Sequence, residues 1–265
     1  MARVRAGCRR PGFMSVGSSL ALLFGCFSSA LLAGLTFAAS PFASGRRVAV
    51  ARRGSGKPRG PPLPSAPLGV VWHTEAGTGP VVVDLFLDLC CPFSKRMLET
   101  VAGGVATAYE GRVTFIFHPV VQPWHGQSSF MHEAALAVLK CHGPEAFWKF
   151  AVAVCQRQED FFDDKTFDKS RLQIYKDLVV IANELGLDSS KIMARLQLVG
   201  IGNGGNAVTQ RLKWVTKFHR ARGVHVTPTV FVNGLEAGIV SSDWSPEDWS
   251  IFLDWHVDKT PVPTA

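Results

Sequence analysis

Cys91 is the residue with the clearest chemical potential, because it lies where a strand pattern gives way to a helix pattern. Residues 81–89 form a β-branched and apolar run that predicts a buried strand, and helical patterning covers 95–110, with Pro92 suited to the first turn. The unpaired N–H groups and partial positive charge at a helix start stabilise a thiolate, the form that attacks disulfides. We therefore predict that Cys91 is a nucleophile; the alternative is a buried, inert thiol.

The other cysteines are poorly placed to release a mixed disulfide formed at Cys91. Three residues after it stands Ser94, so the spacing is Cys-Pro-x-Ser. Cys90 is adjacent, and Cα atoms about 3.8 Å apart are closer than a relaxed disulfide requires. The remaining cysteines, which lie in separate segments, are Cys8, Cys26, Cys141 and Cys155. This pattern predicts monothiol chemistry, in which an external thiol must complete the reaction.

The elements around this site follow the order β–α–β, then a helical block of about a hundred residues, then β–β–α. A second strand at 113–117 follows the first helix, and two strands joined in this way are expected to be parallel. Helical patterns fill most of 128–221. The chain returns to strand at 229–232, where Asn-Gly at 233–234 predicts a hairpin whose second arm includes 239–240.

Two segments of the sequence resemble a known family. The first, 88–94, reads Asp-Leu-Cys-Cys-Pro-Phe-Ser, and the second, 223–234, contains Thr-Pro-Thr and ends in Asn-Gly. Their order, with helices between them, resembles the DsbA-like branch of the thioredoxin-like fold. The resemblance implies an α/β fold with a central mixed sheet and a large α-helical insertion at about 124–222. It also implies that Pro228 is cis and faces the reactive cysteine.

The resemblance implies a thiol–disulfide oxidoreductase of monothiol type. The catalytic residues would be Cys91, as the nucleophile, and Ser94, whose hydroxyl could donate to the sulfur. The residues that would bind substrate are Pro92, Phe93, Thr227 and Pro228. The family usually has a second cysteine where this chain has Ser94, so an external thiol would resolve the mixed disulfide. The expected substrates are protein or glutathione disulfides, with glutathione as a possible co-substrate and no bound cofactor.

Two other function classes stay open. One is a glutathione transferase similar to the kappa class, which shares this fold and would use the 91–94 turn to stabilise a bound glutathione thiolate. The other is a redox-inactive binding module that keeps the fold without turnover. A cysteine at position 91 favours the oxidoreductase over the transferase, whereas Ser94 keeps the binding module open.

The histidines do not predict a metal site. His118, His125 and His132 are seven residues apart, but Pro119 and Pro123 break any helix that would give them a common face. A surface or packing role is the simpler interpretation of each, although His125 could lie near the rim of the Cys91 site. We therefore expect no bound metal.

The basic charge of the chain belongs to its N-terminal part. The net charge is +7, but ten of the 28 basic residues and none of the 21 acidic ones precede Glu75, which leaves the rest at −3. This distribution argues against nucleic acid as a partner. Residues 1–40 have an arginine-rich start and an apolar, charge-free stretch, which predicts a signal peptide or membrane anchor.

The segment that follows the apolar stretch suggests how the protein is targeted. Residues 41–67 are basic and rich in Gly, Ser, Ala and Pro, as in a transit peptide or a disordered linker, and 68–265 is the expected folded domain. These features predict entry into the secretory pathway, with onward transport to a plastid as a further possibility. The alternative is a single-pass protein anchored by 18–40, and the membrane is a partner only if this leader is uncleaved.

Overall fold

The computed structural model describes residues 62–72 and 78–259. The signal peptide or anchor predicted at 1–40 lies outside the described residues, as does most of the linker predicted at 41–67. Within the described part of the chain, no helix is both long enough and apolar enough to cross a membrane.

Five strands in the described part form one mixed sheet in the order β1-β3-β2-β4-β5. The strands are β1 (Val70–Val71), β2 (Val81–Leu87), β3 (Val113–Pro119), β4 (Thr229–Val232) and β5 (Leu235–Glu236). β2 pairs parallel with β3 and antiparallel with β4, which confirms the predicted central mixed sheet. The strand that leads to Cys91 therefore lies in the middle of the sheet.

β2 is buried on both faces, as its β-branched and apolar sequence predicts. Val83 and Leu85 are fully buried in the main hydrophobic core. Phe86 points to a second, smaller cluster, where it packs with Phe231 and Val224. Burial on both sides fixes the register of the strand, and with it the position at which the chain leaves the sheet.

The hairpin between β4 and β5 turns at Asn233 and Gly234, whose φ angles are 49° and 87°. Positive φ at both central residues is what a two-residue turn of this kind requires. The residues that pair back are Leu235 and Glu236, so the prediction that 239–240 pairs with β4 is wrong. A two-residue turn places the residues directly after it opposite the first strand, and β5 ends before 239.

The first helix is shorter than its sequence pattern predicts. α1 covers Pro92–Thr100, a single π-helical turn covers Val101–Val105, and α2 covers Ala106–Ala108. Gly104 lies inside this stretch with non-helical backbone angles. Glycine is a weak helix former, and π-turns occur as local interruptions of α-helices, so the predicted helix at 95–110 is broken in its middle.

Helices fill the chain between β3 and β4. They are α3 (Ser128–Gln156), α4 (Asp163–Thr166), α5 (Arg171–Glu184), α6 (Ser189–Leu196) and α7 (Thr209–Ala221). α3 bends at Gly143, where φ is 85° and Pro144 follows. Leu89 contacts residues from both sides of this bend. Its amide nitrogen lies 3.3 Å from Nε2 of His132, which precedes the bend, and its carbonyl oxygen accepts from Nε2 of Gln158, which follows the end of α3, at 2.8 Å. The chain thus folds back on itself at the bend.

The last helix, α8, covers Pro246–Lys259. Ser245 caps it, because its hydroxyl accepts from the Asp248 N–H at 3.2 Å and its own N–H donates to the Asp248 carboxylate at 2.9 Å. Trp249 is fully buried and packs edge-on against Phe115 of β3. The helix that ends the predicted β–β–α order is therefore present and packs against the sheet.

Candidate active site

Cys91 is the residue immediately before the first turn of α1. Its backbone is extended, and Pro92 follows at the first helical position. The Cys91 N–H donates to the Asp88 carbonyl oxygen at 3.0 Å, and the Cys91 carbonyl oxygen accepts from the Lys95 N–H at 3.0 Å. Pro92 suits this position because it has no N–H to satisfy and its φ angle matches a helix start. The thiol therefore lies at the positive end of α1.

The thiol of Cys91 faces the loop that precedes β4. Its Sγ donates to the Thr227 carbonyl oxygen at 3.3 Å, and the Thr227–Pro228 peptide bond is cis. The pairing of β4 with β2, which sets Thr229 opposite Phe86, holds the two segments side by side. Cys91 is 5% exposed, so neighbouring residues cover most of its surface.

Ser94 is buried one helical turn from Cys91. Its Oγ accepts from the Asp88 N–H at 3.2 Å. The sequence suggested that this hydroxyl donates to the Cys91 sulfur, but no hydrogen bond joins the two side chains in the described part of the chain. Ser94 instead ties the end of the β2 segment to the first turn of α1.

The other described cysteines are free thiols. Burial, followed by the charge of Asp88, raises the pKa of Cys90 to about 12. Burial also raises the pKa of Cys155, whose Sγ lies 3.9 Å from the Leu89 carbonyl oxygen. Both thiols therefore stay protonated at neutral pH and are poor nucleophiles. Cys141 is half-buried near the bend of α3.

A fully buried carboxylate, Asp88, organises the turn that carries the cysteines. Its Oδ1 accepts from the Cys90 N–H at 2.9 Å and from the Ser128 hydroxyl at 2.6 Å. Its Oδ2 accepts from the Gln122 N–H at 3.2 Å and from His125 Nδ1 at 2.7 Å. Donors from the helix start, the segment after β3 and the start of α3 thus converge on one side chain.

Asp88 is ionised despite its burial. Burial favours the neutral acid and would raise its pKa. The hydrogen bonds from His125, His132 and Ser128 outweigh burial and hold the pKa of Asp88 well below its usual range. His132 Nε2 lies 3.6 Å from Asp88 Oδ1 and 3.0 Å from the Val120 carbonyl oxygen. The cluster thus keeps one buried negative charge in the turn that carries the cysteines.

Comparison with known proteins decides the family. The family model described as Thioredoxin matches residues 76–254, which is more than half of the chain. The chain belongs to the thioredoxin family. The helices between β3 and β4 give it the arrangement of the DsbA-like branch, as predicted. No curated protein sequence matches the chain.

Solved structures share the fold of this thioredoxin-family protein. A Pseudomonas syringae protein described as a candidate protein-disulfide isomerase is 26% identical, with a TM-score of 0.58, over 70% of this chain and 97% of that one. The MdbA thiol–disulfide oxidoreductase of Actinomyces oris is 18% identical, with a TM-score of 0.53, over 74% of this chain and 87% of that one. MdbA of Corynebacterium diphtheriae is 19% identical, with a TM-score of 0.51, over 68% and 89%. The two MdbA proteins support the fold alone.

The residues that the sequence assigned to the site do not all meet the sulfur. The Thr227 carbonyl contacts Cys91, and Pro228 follows it across a cis peptide bond. Phe93 is 53% exposed, with the Arg96 guanidinium 5.0 Å from its ring centre. The thioredoxin-family site therefore consists of a buried thiol beside a loop, with an exposed aromatic ring on the adjoining turn.

The three spaced histidines lie in different environments. His118 Nε2 lies 2.7 Å from Asp84 Oδ1, whereas His125 and His132 contact Asp88. Among the described residues, no cluster of His, Cys, Asp or Glu could hold a metal ion.

Asp88 is the main site residue that sequence analysis missed. A charged residue directly after a buried strand, three positions before Cys91, was the available signal. Ser128 and Gln122 gave no signal of their own, because they reach the carboxylate only through the packing of α3 and the segment before it against the end of β2.

Asp88→Asn is expected to lower the free energy of unfolding by about 3–5 kcal/mol at neutral pH, the usual cost of breaking a buried charged pair. An amide cannot accept from all the donors that surround this carboxylate. Because the pKa of Asp88 is lower in the folded than in the unfolded chain, its stabilisation is present above the unfolded value of about 3.9 and is lost as the pH falls. The difference between variant and wild type, measured by urea unfolding, should therefore shrink below about pH 4.

The matched control for this prediction is Asp243→Asn. Asp243 forms an exposed ion pair with Arg96, and such pairs contribute about 0–1 kcal/mol. Equal losses of stability in the two variants, or a loss for Asp88→Asn that does not change with pH, would contradict the role assigned to Asp88.

Proposed function

We propose that this protein is a monothiol thiol–disulfide oxidoreductase in which Cys91 forms mixed disulfides. The observation that carries the proposal is a thiol at the start of α1, 3.3 Å from the Thr227 carbonyl oxygen, with Ser94 where a second cysteine would stand. The sulfur lies at a helix N-terminus, a position that reactive cysteines occupy in other proteins. The Pseudomonas syringae relative, described as a candidate disulfide isomerase, supports the same class of chemistry.

The reaction consists of two exchange steps. The Cys91 thiolate attacks one sulfur of a substrate disulfide, a new S–S bond forms, and the other substrate sulfur leaves as a thiolate that takes up a proton. An external thiol, as its thiolate, then attacks the substrate sulfur of the mixed disulfide. Cys91 is released, and the substrate leaves joined to the external thiol. Each step breaks one S–S bond and forms one, so no further oxidant is needed.

The external thiol is required because no internal group can replace it. Ser94 carries a hydroxyl, which cannot form a disulfide. Cys90 is adjacent to Cys91 and protonated, with a pKa of about 12. A small thiol such as glutathione is therefore the proposed co-substrate, and the chemistry uses no bound cofactor.

The proposed substrates are protein disulfides in extended segments. The backbone of Thr227 lies beside the sulfur, where an extended peptide can pair with it as an added strand. Three exposed apolar side chains are next to site residues in the sequence. Phe93 follows the Cys91–Pro92 pair, Val226 precedes Thr227 and Trp124 precedes His125, and they are 53%, 63% and 61% exposed. We propose that Pro92, Phe93, Thr227 and Pro228 form the surface that such a segment contacts.

The test is capture of the mixed disulfide on the full-length protein. We expect incubation with a peptide disulfide to place one peptide on Cys91, detected by mass spectrometry, and glutathione to remove it. Cys90 and Cys155 should remain unmodified because their thiols are protonated, so they serve as internal controls. An adduct on Cys90 or Cys155 instead of Cys91 would contradict the proposal.

The same protein distinguishes the two alternative functions. A transferase similar to the kappa class would join glutathione to an electrophilic substrate such as chlorodinitrobenzene and would keep that activity in Cys91→Ser. A redox-inactive binding module would bind the reduced peptide but form no adduct. Either result, without an adduct on Cys91, would replace the proposed function.

The proposed location is the secretory pathway, with onward transport to a plastid as the finer proposal. The arginine-rich start and the apolar stretch at 18–40 support it. The N-terminal sequence of the mature protein distinguishes a cleaved leader from an anchor at 18–40, since a cleaved chain begins after that stretch.

A further inference from the structure

His125 adjoins the site, yet exchange at Cys91 as described gives it no task. Its side chain is 21% exposed, and its Nδ1 lies 2.7 Å from Asp88 Oδ2. Asp88 is ionised, and an ionised carboxylate has only acceptor positions, so Nδ1 must carry the proton. In the neutral ring the lone pair is therefore on Nε2, the nitrogen that does not contact Asp88.

His125 borders a cleft of about 410 Å³. The residues that line it are Cys90, Pro92, His125, Gln127, Phe162, Asp163 and Asp164. Cys90 and Pro92 are the neighbours of Cys91 on either side, so the cleft adjoins the turn that carries the reactive cysteine. No described residue is hydrogen-bonded to His125 Nε2. The cleft thus offers space for a small molecule next to a nitrogen that can accept a proton.

We propose that His125, held in its tautomer by Asp88, is the proton acceptor for the external thiol that releases the mixed disulfide from Cys91. This inference rests on the proposed function and names the residue that activates its second step. The thiol gives its proton to Nε2, and the resulting thiolate attacks the substrate sulfur bonded to Cys91. That bond breaks, the new S–S bond forms, and the proton returns from the imidazolium to the Cys91 thiolate.

The surrounding charges favour the imidazolium that this step creates. The titratable and charged groups around His125 are Asp88, Cys90, Cys91, His132, Asp163, Asp164 and Lys165. Asp88 holds the opposite ring nitrogen, and Asp163 lies in the same cleft. Asp164 is paired with Lys165 at 2.9 Å, so its charge is partly balanced. Cys90 is protonated and adds no charge. The net field at His125 is therefore negative, which stabilises a transient cation.

The experiment measures release of glutathione from Cys91 of the full-length protein by two different thiols at neutral pH. 2-Mercaptoethanol is largely protonated there and needs a proton acceptor, whereas 5-mercapto-2-nitrobenzoate is already a thiolate and does not. In His125→Gln we expect release by 2-mercaptoethanol to slow about 100-fold, the lower end of the effect of general acid–base catalysis. Release by the aromatic thiolate should change less than about twofold, since no proton has to be removed.

The matched control is His225→Gln. His225 is exposed, and the structure records a bond only to its backbone carbonyl, from Gln122 Nε2 at 3.2 Å. We expect both thiols to release glutathione from this variant at the wild-type rate. If His125→Gln slows glutathione release by both thiols equally, His125 has only a structural role. If it slows release by neither thiol, His125 takes no part in the reaction.

A measurement on the wild type keeps the proposal testable if His125→Gln fails to fold. The rate with 2-mercaptoethanol should fall less steeply on acidification towards neutral pH than the thiolate fraction of that reagent, because the proposed reactant is the protonated thiol. A rate that follows the thiolate fraction alone would overturn the proposal. If the wild type forms no mixed disulfide at Cys91, the proposed function is wrong. If the mixed disulfide forms normally but its release does not depend on His125, only the role proposed for His125 is wrong.

Discussion

Cys91→Ser is expected to lower the rate of disulfide exchange by at least about 1,000-fold, as removal of a catalytic nucleophile does in other enzymes. The serine hydroxyl is not ionised at neutral pH and cannot form an S–S bond. The fold should persist, because Cys91 and serine are of similar size and the helix start is held by backbone hydrogen bonds to Asp88 and from Lys95. The measurement is turnover of a fluorescent peptide disulfide in the presence of glutathione.

Cys141→Ser is the matched control for this substitution. Cys141 is a free, half-buried thiol near the bend of α3, away from the start of α1. It should keep the wild-type rate. Substantial exchange by Cys91→Ser would show that another thiol carries the reaction, and loss in both variants would point to a general effect of removing cysteines.

Ser94→Cys is expected to change the chemistry from exchange to net dithiol oxidation. Ser94 and Cys91 are three residues apart at a helix start, where neighbouring side chains have Cβ atoms about 5–6 Å apart, close enough for a disulfide after small adjustments. A thiol at 94 would attack the Cys91 sulfur, release the reduced substrate and leave a disulfide within the protein. The lifetime of the mixed disulfide without external thiol should fall at least about 100-fold, because the attack becomes intramolecular.

Ser94→Ala separates the effect of the new thiol from the loss of the hydroxyl. Both substitutions remove the hydrogen bond from the Asp88 N–H to Ser94 Oγ, but alanine adds no sulfur. The mixed disulfide should persist in Ser94→Ala and be released by glutathione, as in the wild type. A mixed disulfide that persists equally in Ser94→Cys would show that position 94 cannot reach Cys91, contrary to the monothiol interpretation of this site.

The elements that position Cys91 are local in the sequence, which is why they can be predicted. The apolar run of β2 and the helix-starting Pro92 specify the strand end and the helix start within about a dozen residues. The turn at Asn233 and Gly234 is also specified locally, by two residues that tolerate positive φ. The predicted pairing of 239–240 with β4 is wrong because the turn determines which residues lie opposite each other. The apolar character of 239–240 alone does not determine it.

The polar cluster around Asp88 could not be predicted in the same way. Its donors come from Gln122, His125 and Ser128, which lie 34 to 40 positions further along the chain. They have ordinary polar side chains with no characteristic spacing, and only the packing of α3 against the end of β2 brings them together. The sequence shows a charged residue at the end of that strand but does not show which side chains donate hydrogen bonds to it.

The hydrogen bond between Cys91 and Thr227 joins residues 136 positions apart through the pairing of two adjacent strands. Most of the intervening helices can therefore vary in length over evolution without separating the sulfur from its loop. The exception is the stretch from Gln122 to His132, whose side chains and backbone hold Asp88. A shorter relative of this protein that kept residues 122–132 and both strands would keep the reaction centre. A relative that lost only residues 122–132 would lose the hydrogen-bond donors to Asp88.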